Sequence, residues 1–306
     1  MGVQFEASEN SFPEIAVLLA THNPTSVIKE QIDSIYSQEL VKVKVYWGDD
    51  RSNEETKTYI RSLLAGKNYV EISDTGIGAT KNFLHLLRFP TEEYIAFSDQ
   101  DDVWLPRKLA QHIQLLKNSS DLPALSHSNS LLLINGMKQT KTSVCSGHSF
   151  YELSWQNCVQ GCTKVINSKL QKLLNIMPQN YVLAHDWWIA QVASLHGLIF
   201  VNENKDTLYR IHPGNAIGNP GIMQRVKLSI KRTGGIQSKQ ALEILEFNDN
   251  LHLLHYDEME LLKTYWEKIN SGSILDRLII AISDRKGRSA FIEDLWRRIS
   301  LIIHSP

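Results

Sequence analysis

An α/β fold, with a mostly parallel sheet flanked by helices and a helical extension at the C-terminal end, is what the sequence predicts. Three observations carry this. Short apolar runs alternate with helical stretches between Ile15 and Leu116, polar or acidic turns close several of those runs, and after Gly221 the pattern becomes almost wholly helical. Strands linked through helices pair in parallel with right-handed crossovers. The expected division is an α/β domain over 1–220 and a helical region over 221–306.

Ile15 to Ala20 is a continuous apolar run, as expected of a strand buried on both faces. Thr21-His22-Asn23-Pro24 breaks it, and Thr25 is placed to cap a helix that buries Val27, Ile28, Ile32 and Ile35. Val41 to Trp47 alternates Val with Lys or Tyr, a strand period, and Gly48-Asp49-Asp50-Arg51-Ser52 leads into a helix over Glu54 to Leu64. A short strand over Tyr69 to Ile72 passes through Gly76-Ile77-Gly78, a glycine pair suited to a tight turn, into a helix with Phe83, Leu84 and Leu87 on one face. Tyr94 to Phe97 forms the next strand. Pro106 then opens a helix through Leu109, Ile113 and Leu116.

Beyond Leu122 the regular alternation stops. We expect a strand over Leu131 to Ile134, a polar stretch to Ser154, and a helix from Asn167 to Ile176. A further helix runs from Asp186 to Leu195, with strands near Ile199 and Leu208.

With 306 residues, 42% of them hydrophobic, the chain can bury a sizeable core. Its 32 basic and 33 acidic residues leave a formal net charge of -1, so no global field draws it to nucleic acid. Three cysteines, Cys145, Cys158 and Cys162, lack the paired spacing of a zinc site and argue against a disulfide scaffold, which points to the cytosol. No stretch approaches the roughly 18 uncharged residues of a spanning helix, so neither membrane crossing nor export is expected.

The acidic run Ser98-Asp99-Gln100-Asp101-Asp102 concentrates three carboxylates where a buried strand emerges. Hard divalent cations such as Mg²⁺ or Mn²⁺ take oxygen ligands, and carboxylates one residue apart can share an ion that carries a diphosphate. In open α/β sheets ligands collect outside the carboxyl ends of the strands. An Asp-rich turn in solvent would give the same local sequence.

Further short motifs follow in order: Thr21-His22-Asn23, Asp49-Asp50, Asp99-Gln100-Asp101-Asp102-Val103-Trp104, Gly161-Cys162-Thr163, His185-Asp186-Trp187-Trp188 and Tyr209-Arg210-Ile211-His212. Taken together, over roughly Ile15 to Gly218, they resemble the family 2 glycosyltransferases of the GT-A fold, a Rossmann-like sheet, and most of all the bacterial rhamnosyltransferase group. His22 departs from the aromatic residue common at its position in that family.

The resemblance implies roles for particular residues. Asp50, with Asp49 as the weaker candidate, would bind the nucleobase; both also read as an Asx turn or helix cap. Thr21 would pack around the nucleoside, and Lys81 and Asn82 would reach the donor ribose or phosphate. Asp101 would bind the cation directly, Asp99 would reach ribose or metal, and Asp102 would orient the loop. His212 would complete the metal site. Arg210 would bind the diphosphate or pair with a core carboxylate. Asp186 is the candidate catalytic base, with capping of a helix that begins at Trp187 as the competing role. His185 would support that loop. Gly161 and Cys162 would line the acceptor side, where Trp187 and Trp188 would offer a flat wall, one of the pair being core. The Cys158 and Cys162 spacing is too isolated for a metal site.

The implied reaction is inverting, Mg²⁺- or Mn²⁺-dependent transfer of a sugar from a dTDP- or UDP-linked donor, dTDP-L-rhamnose first among them. The acceptor would be a polyprenyl-diphosphate-linked intermediate of an O antigen or capsule, met at the cytoplasmic face of the inner membrane. The basic stretch Arg225, Lys227, Lys231, Arg232 and Lys239, and the segment from Ile274 to Ile303, suit either peripheral contact with an anionic leaflet or a solvated helix face. A nucleotidyltransferase is the alternative, but Thr21-His22-Asn23-Pro24 has no glycine or lysine to grip a triphosphate. A non-catalytic glycan- or nucleotide-binding scaffold of the same fold is the third reading.

Overall fold

The structure, a computed structural model, describes residues 12–73, 78–119, 121–134, 137–139, 147–211, 236–247 and 256–271, with isolated positions beyond. In chain order the described elements are β1 (Glu14–Thr21), α1 (Ile28–Tyr36), β2 (Lys42–Asp49), α2 (Glu54–Leu64), β3 (Tyr69–Ile72), α3 (Ala79–Leu86), β4 (Tyr94–Ser98), β5 (Val103–Trp104) and α4 (Lys108–Leu116). There follow β6 (Ala124–Ile134), β7 (Met137–Gln139), α5 (Phe150–Trp155), a 3₁₀ turn at Gly161–Thr163, β8 (Val165–Asn167), α6 (Ser168–Ile176), α7 (His185–His196), β9 (Leu198–Arg210), α8 (Ile236–Glu246) and α9 (Tyr256–Ser271).

By contact the chain falls into two compact units. The first comprises Met1–Val144, Val159–Asn175 and Leu198–Ile211; the second comprises Cys145–Cys158, Ile176–Gly197 and everything from His212 on. The 220/221 boundary expected from sequence lies outside the described residues.

The first unit holds the whole sheet, in the order β3-β2-β1-β4-β8-β6-β9-β5, with β7 paired to β6. Its first four strands are parallel, in line with the helical crossovers between them. Beyond β4 the sheet is mixed: β8 runs antiparallel to both neighbours, β6 and β9 are parallel, and β5 closes the edge antiparallel to β9. β1 and β4 are buried almost throughout because helices cover both faces, which explains their unbroken apolar sequence.

The helices meet this sheet through the residues their spacing selected. Ile28, Ile32 and Ile35 of α1, Ile60 and Leu64 of α2, Phe83 and Leu84 of α3, and Leu109, Ile113 and Leu116 of α4 are buried. Each contributes roughly 1.5–3 kcal/mol by leaving water. Thr25 does not cap α1, whose cap position is Val27 and makes no side-chain capping bond. The two strands expected near Ile199 and Leu208 are one strand, β9. Its pairing with β6 jumps from Ser128–Asn202 to Ser130–Thr207, so residues 203–206 bulge out of register.

The second unit is helical where it is described. α5 lies within what reads as a polar stretch, and it begins with a capping box in which Ser149 and Glu152 serve each other's backbone N–H. α7 is buried nearly all round. Its Gln191 amide bonds Ser154 Oγ at 3.3 Å and also meets Gln240 of α8.

Candidate active site

The carboxyl ends of β1, β2 and β4 bring three loops together in the first unit. β1 has β2 on one side and β4 on the other, so the strand order reverses at β1/β4, where open α/β sheets keep their ligand crevice. The Gln100 side chain spans that crevice: its Oε1 accepts from His22 N at 2.8 Å and its Nε2 donates to His22 O at 3.1 Å. The His22 ring nitrogen Nδ1 in turn lies 2.5 Å from Asp50 O. Asn23 N donates to Ser52 Oγ at 2.7 Å. The same two loops hold Asn23 and Arg51 at φ of 42° and 61°. A left-handed conformation at Arg51 costs about 1–2 kcal/mol and is held by the surrounding bonds.

Asp49 is the Asx-turn residue its sequence also allowed. Its carboxylate accepts from Thr21 Oγ1 (2.7 Å), Ser52 N (2.7 Å) and Ser52 Oγ (2.8 Å). Thr21, 2% exposed, also accepts from Trp47 Nε1 at 2.9 Å, so its hydroxyl is committed to the loop and not presented to a ligand. Asp50 is buried, with Oδ2 accepting from Gly78 N at 2.6 Å. That N–H belongs to the cap of α3, where φ of 83° requires glycine. Asn82 is buried too, and its Nδ2 donates to Gly48 O at 3.0 Å, so it braces the β2 loop from inside, at a position where the resemblance implied contact with donor ribose or phosphate. Lys81 is exposed on the same helix.

The acidic cluster differs in detail from the sequence expectation. Asp99, Asp102 and Cys162 converge, with one ligand atom of each within 4.8 Å of the others, and Asp101 is not one of the three. The cysteine judged too isolated for such a site is thus drawn in by the fold: the 3₁₀ turn sits beside β4, where no local spacing could show it. Asp102 is fully buried. One carboxylate oxygen accepts from Arg210 N at 3.1 Å; the other meets no donor at full hydrogen-bond geometry among the described residues, with the Cys162 thiol beside the carboxylate. Burial first, then the neighbouring charge of Asp101, pushes its pKa up to about 7. Burial, then Asp102 and Asp99, raises the Cys162 thiol well above its usual range, so it stays protonated at neutral pH. Two carboxylates, one of them fully buried, together with a protonated thiol fit an oxygen-preferring Mg²⁺ or Mn²⁺ better than a thiolate-bound metal.

Arg210 ties this loop down. Its Nε donates to Asp101 O at 2.9 Å and its guanidinium pairs with Glu30 at 2.8 Å, a surface partner and not a core carboxylate. His212 lies outside the described residues, as do the basic stretch from Arg225 to Arg232 and the segment from residue 276 on. Lys239 is described, with its ammonium 5.7 Å from the Tyr181 ring. A concavity of about 410 Å³ lined by Glu39, Arg107, Gln111 and Lys205 includes none of the candidate residues.

Two acceptor-side expectations are corrected. Trp187 and Trp188 are 7% and 0% exposed, both core, and Trp187 Nε1 donates to Leu153 O; α7 is apolar on nearly every side, so neither ring is a wall for a sugar. Cys162 is 1% exposed, so its side chain faces the acids and not an acceptor, while Gly161 is half-buried at the start of the same turn. Cys162 is free and Cys158 is disulfide-bonded, a bond that the spacing of the cysteines did not announce.

Asp186 belongs to the second unit. It does not cap the helix: Ala184 holds the cap position and Asp186 lies in the first turn. Its carboxylate accepts from Trp187 N and from Asn157 Nδ2, each at 2.8 Å. The carboxylate is half-buried.

Comparison with known proteins gives the same class. The family model for Glycosyl transferase family 2 matches residues 16–129. A dTDP-rhamnosyl transferase of Shigella flexneri is 26% identical over 72% of this chain and 80% of its own length. A UDP-Glc:alpha-D-GlcNAc-diphosphoundecaprenol beta-1,3-glucosyltransferase of Escherichia coli is 22% identical over 57% and 67%. Among solved structures, S. aureus TarS 1-349 in complex with UDP-GlcNAc overlays with a TM-score of 0.58 at 14% identity, over 94% of this chain and 79% of that one. A Pyrobaculum calidifontis mannosyltransferase in complex with GDP-Man and Mn²⁺ gives 0.54 at 15% identity, over 95% and 85%. A mixed α/β sheet with acidic loops at its carboxyl edge, set beside these relatives, makes the protein a glycosyltransferase of the GT-A fold. Within that class, residues 16–129 carry a glycosyl transferase family 2 domain.

Proposed function

We propose that the protein moves a sugar, L-rhamnose from dTDP-rhamnose, onto a hydroxyl of a lipid-linked intermediate of a surface polysaccharide, with inversion at the anomeric carbon. The observation that carries this reading is the joining of the β1, β2 and β4 loops beside the Asp99–Asp102 pair. Such an edge offers a nucleobase side at Asp50 and a diphosphate side at the acids. The rhamnosyl donor is supported by the Shigella relative's name, and the polyprenyl-diphosphate acceptor by that of the Escherichia relative. A site at the cytoplasmic face of the membrane follows from such an acceptor; no described helix is long and apolar enough to cross a membrane.

In this reading Asp50 holds the nucleobase, and Asp99, Asp101 and Asp102, with His212, bind the cation. Arg210 fixes the loop that carries the acids. A bound Mg²⁺ or Mn²⁺ supplies positive charge that makes the diphosphate a better leaving group. Asp186 accepts the proton of the acceptor hydroxyl while that oxygen attacks the anomeric carbon. The bond to the diphosphate oxygen breaks on the opposite face and its electron pair leaves with the nucleotide. One base is enough for this displacement, because no covalent sugar–enzyme intermediate forms.

The test is release of dTDP from dTDP-rhamnose with a lipid diphosphate acceptor, with and without Mn²⁺, in the unsubstituted chain and in Asp101→Ala and Asp186→Ala. Transfer that needs Mn²⁺ and falls at least 100-fold in both variants is expected. Unchanged turnover in both variants would remove these assignments.

A further inference from the structure

Lys108 opens α4 and is fully buried. A buried ammonium is costly unless each N–H is used, and here all three directions are taken. Nζ donates to Cys162 O at 2.7 Å and to Thr207 Oγ1 at 2.6 Å, and lies 3.5 Å from Asp206 Oδ1. It also stands 4.8 Å from the Trp104 ring centre. Asp206 reaches it because of the β9 bulge. That carboxylate further accepts from His112 Nε2 (3.0 Å), Ser128 Oγ (2.7 Å) and Asn202 Nδ2 (2.9 Å).

Stability alone is a weak reason for such an arrangement, since a buried ion pair can often be replaced by apolar groups at no loss. Its position is more informative. The acidic cluster is assembled from two chain segments, Asp99–Asp102 and the Gly161–Thr163 turn, and Lys108 grips the second by the carbonyl of Cys162 itself. Trp104, two residues after Asp102, packs on the same ammonium. The charge of Lys108 also acts on the Asp102 carboxylate.

We propose that Lys108 is a positioning residue for the acidic site: its ammonium holds the Cys162 turn against Asp99 and Asp102, and so fixes the space that a cation and diphosphate occupy. This rests on the reading of those acids as the donor's cation site.

The experiment compares the parent chain with Asp206→Asn and with Lys108→Met/Asp206→Asn, which removes both charges together and leaves no lone buried carboxylate. Mn²⁺ binding in the presence of dTDP is read from the electron paramagnetic resonance signal of free Mn²⁺, alongside the melting temperature. Expected is a double variant that melts within a few degrees of Asp206→Asn yet binds Mn²⁺ at least tenfold more weakly. Parental affinity in the double variant overturns the proposal. Should the double variant not fold, Lys108→Gln is read by the rate at which maleimide labels Cys162. Labelling at least tenfold faster supports the pin, and an unchanged rate overturns it. Neither readout requires transfer. A parent chain that binds Mn²⁺ and dTDP but moves no sugar removes the proposed reaction and leaves the role of Lys108 standing.

Discussion

The side-chain amide of Gln100 pairs with the backbone of His22 as one strand pairs with the next, one bond in each direction, at 2.8 and 3.1 Å. It thereby joins the acidic loop after β4 to the loop after β1 across the crevice where the strand order reverses. Gln100→Ala removes both bonds. Each is solvent-exposed and contributes on the order of 0.5–1 kcal/mol, so nucleotide affinity should fall by up to about five- to thirtyfold when both are lost. Calorimetric titration with dTDP and Mn²⁺ measures it; parental affinity would mean the loops keep their register without this pairing.

The buried Lys108–Asp206–His112 network makes stability depend on pH in two steps. Burial alone would raise the Asp206 pKa, but Lys108, His112 and Ser128 outweigh it and hold the carboxyl far below its usual 3.8. For His112 burial dominates over the attraction of Asp206 and lowers the pKa below 6.5. In both cases the unfolded chain binds protons more readily than the folded one, so stability present at neutral pH is lost on acidification. Melting temperature should therefore decline first below about pH 6.5, from His112, and again below about pH 4, from Asp206. His112→Asn should flatten the first limb and Asp206→Asn the second. A profile from pH 3 to 8 that keeps both limbs in both variants would contradict this.

Trp188, with no exposed surface, is core and not part of an acceptor wall. Trp188→Ala should cost roughly 3–5 kcal/mol, the range for a large buried aromatic cut to Ala, read as a lower midpoint in urea. A stable variant whose only defect is a raised KM for acceptor would restore the wall.

Gly78→Ala introduces no clash, since nothing lies within 4 Å of the added carbon, but it places alanine at φ of 83°. The strain amounts to about 1–2 kcal/mol. Because Gly78 N is the donor to Asp50, the KM for the nucleotide sugar should rise along with the loss of stability. Steady-state kinetics and urea unfolding on the same sample separate the two effects.

The parallel half of the fold was legible because its signals are local. α2 runs from Glu54 to Leu64 as its periodicity indicates, and Leu109, Ile113 and Leu116 face the core as their spacing requires. β9 misled because its bulge carries Glu203, Asn204, Lys205 and Asp206, which with Asn202 before them form a polar run that looks like a turn, while Asn202 and Asp206 are buried. α5 was missed although Ser149 and Glu152 have capping-box spacing, a signal present in the sequence. The two-residue β5 is too short to show a period. In the site, the acids stood out by composition, but the approach of Cys162 to Asp99 and Asp102 depends on β8 lying beside β4, a pairing between segments some 70 residues apart.

The interleaving of the two units bears on how the molecule can be taken apart. The chain passes from the first unit to the second at Cys145, back at Val159, out again at Ile176 and back at Leu198. Cutting any one peptide bond therefore frees neither half as an intact piece. Terminal deletions that look modest on paper, such as removal of everything after residue 220, would strip α8 from α7 and expose a helix whose every side expects cover. Limited proteolysis should accordingly yield nicked but associated fragments, and dissecting the role of the final helices calls for point substitutions instead of shortened chains.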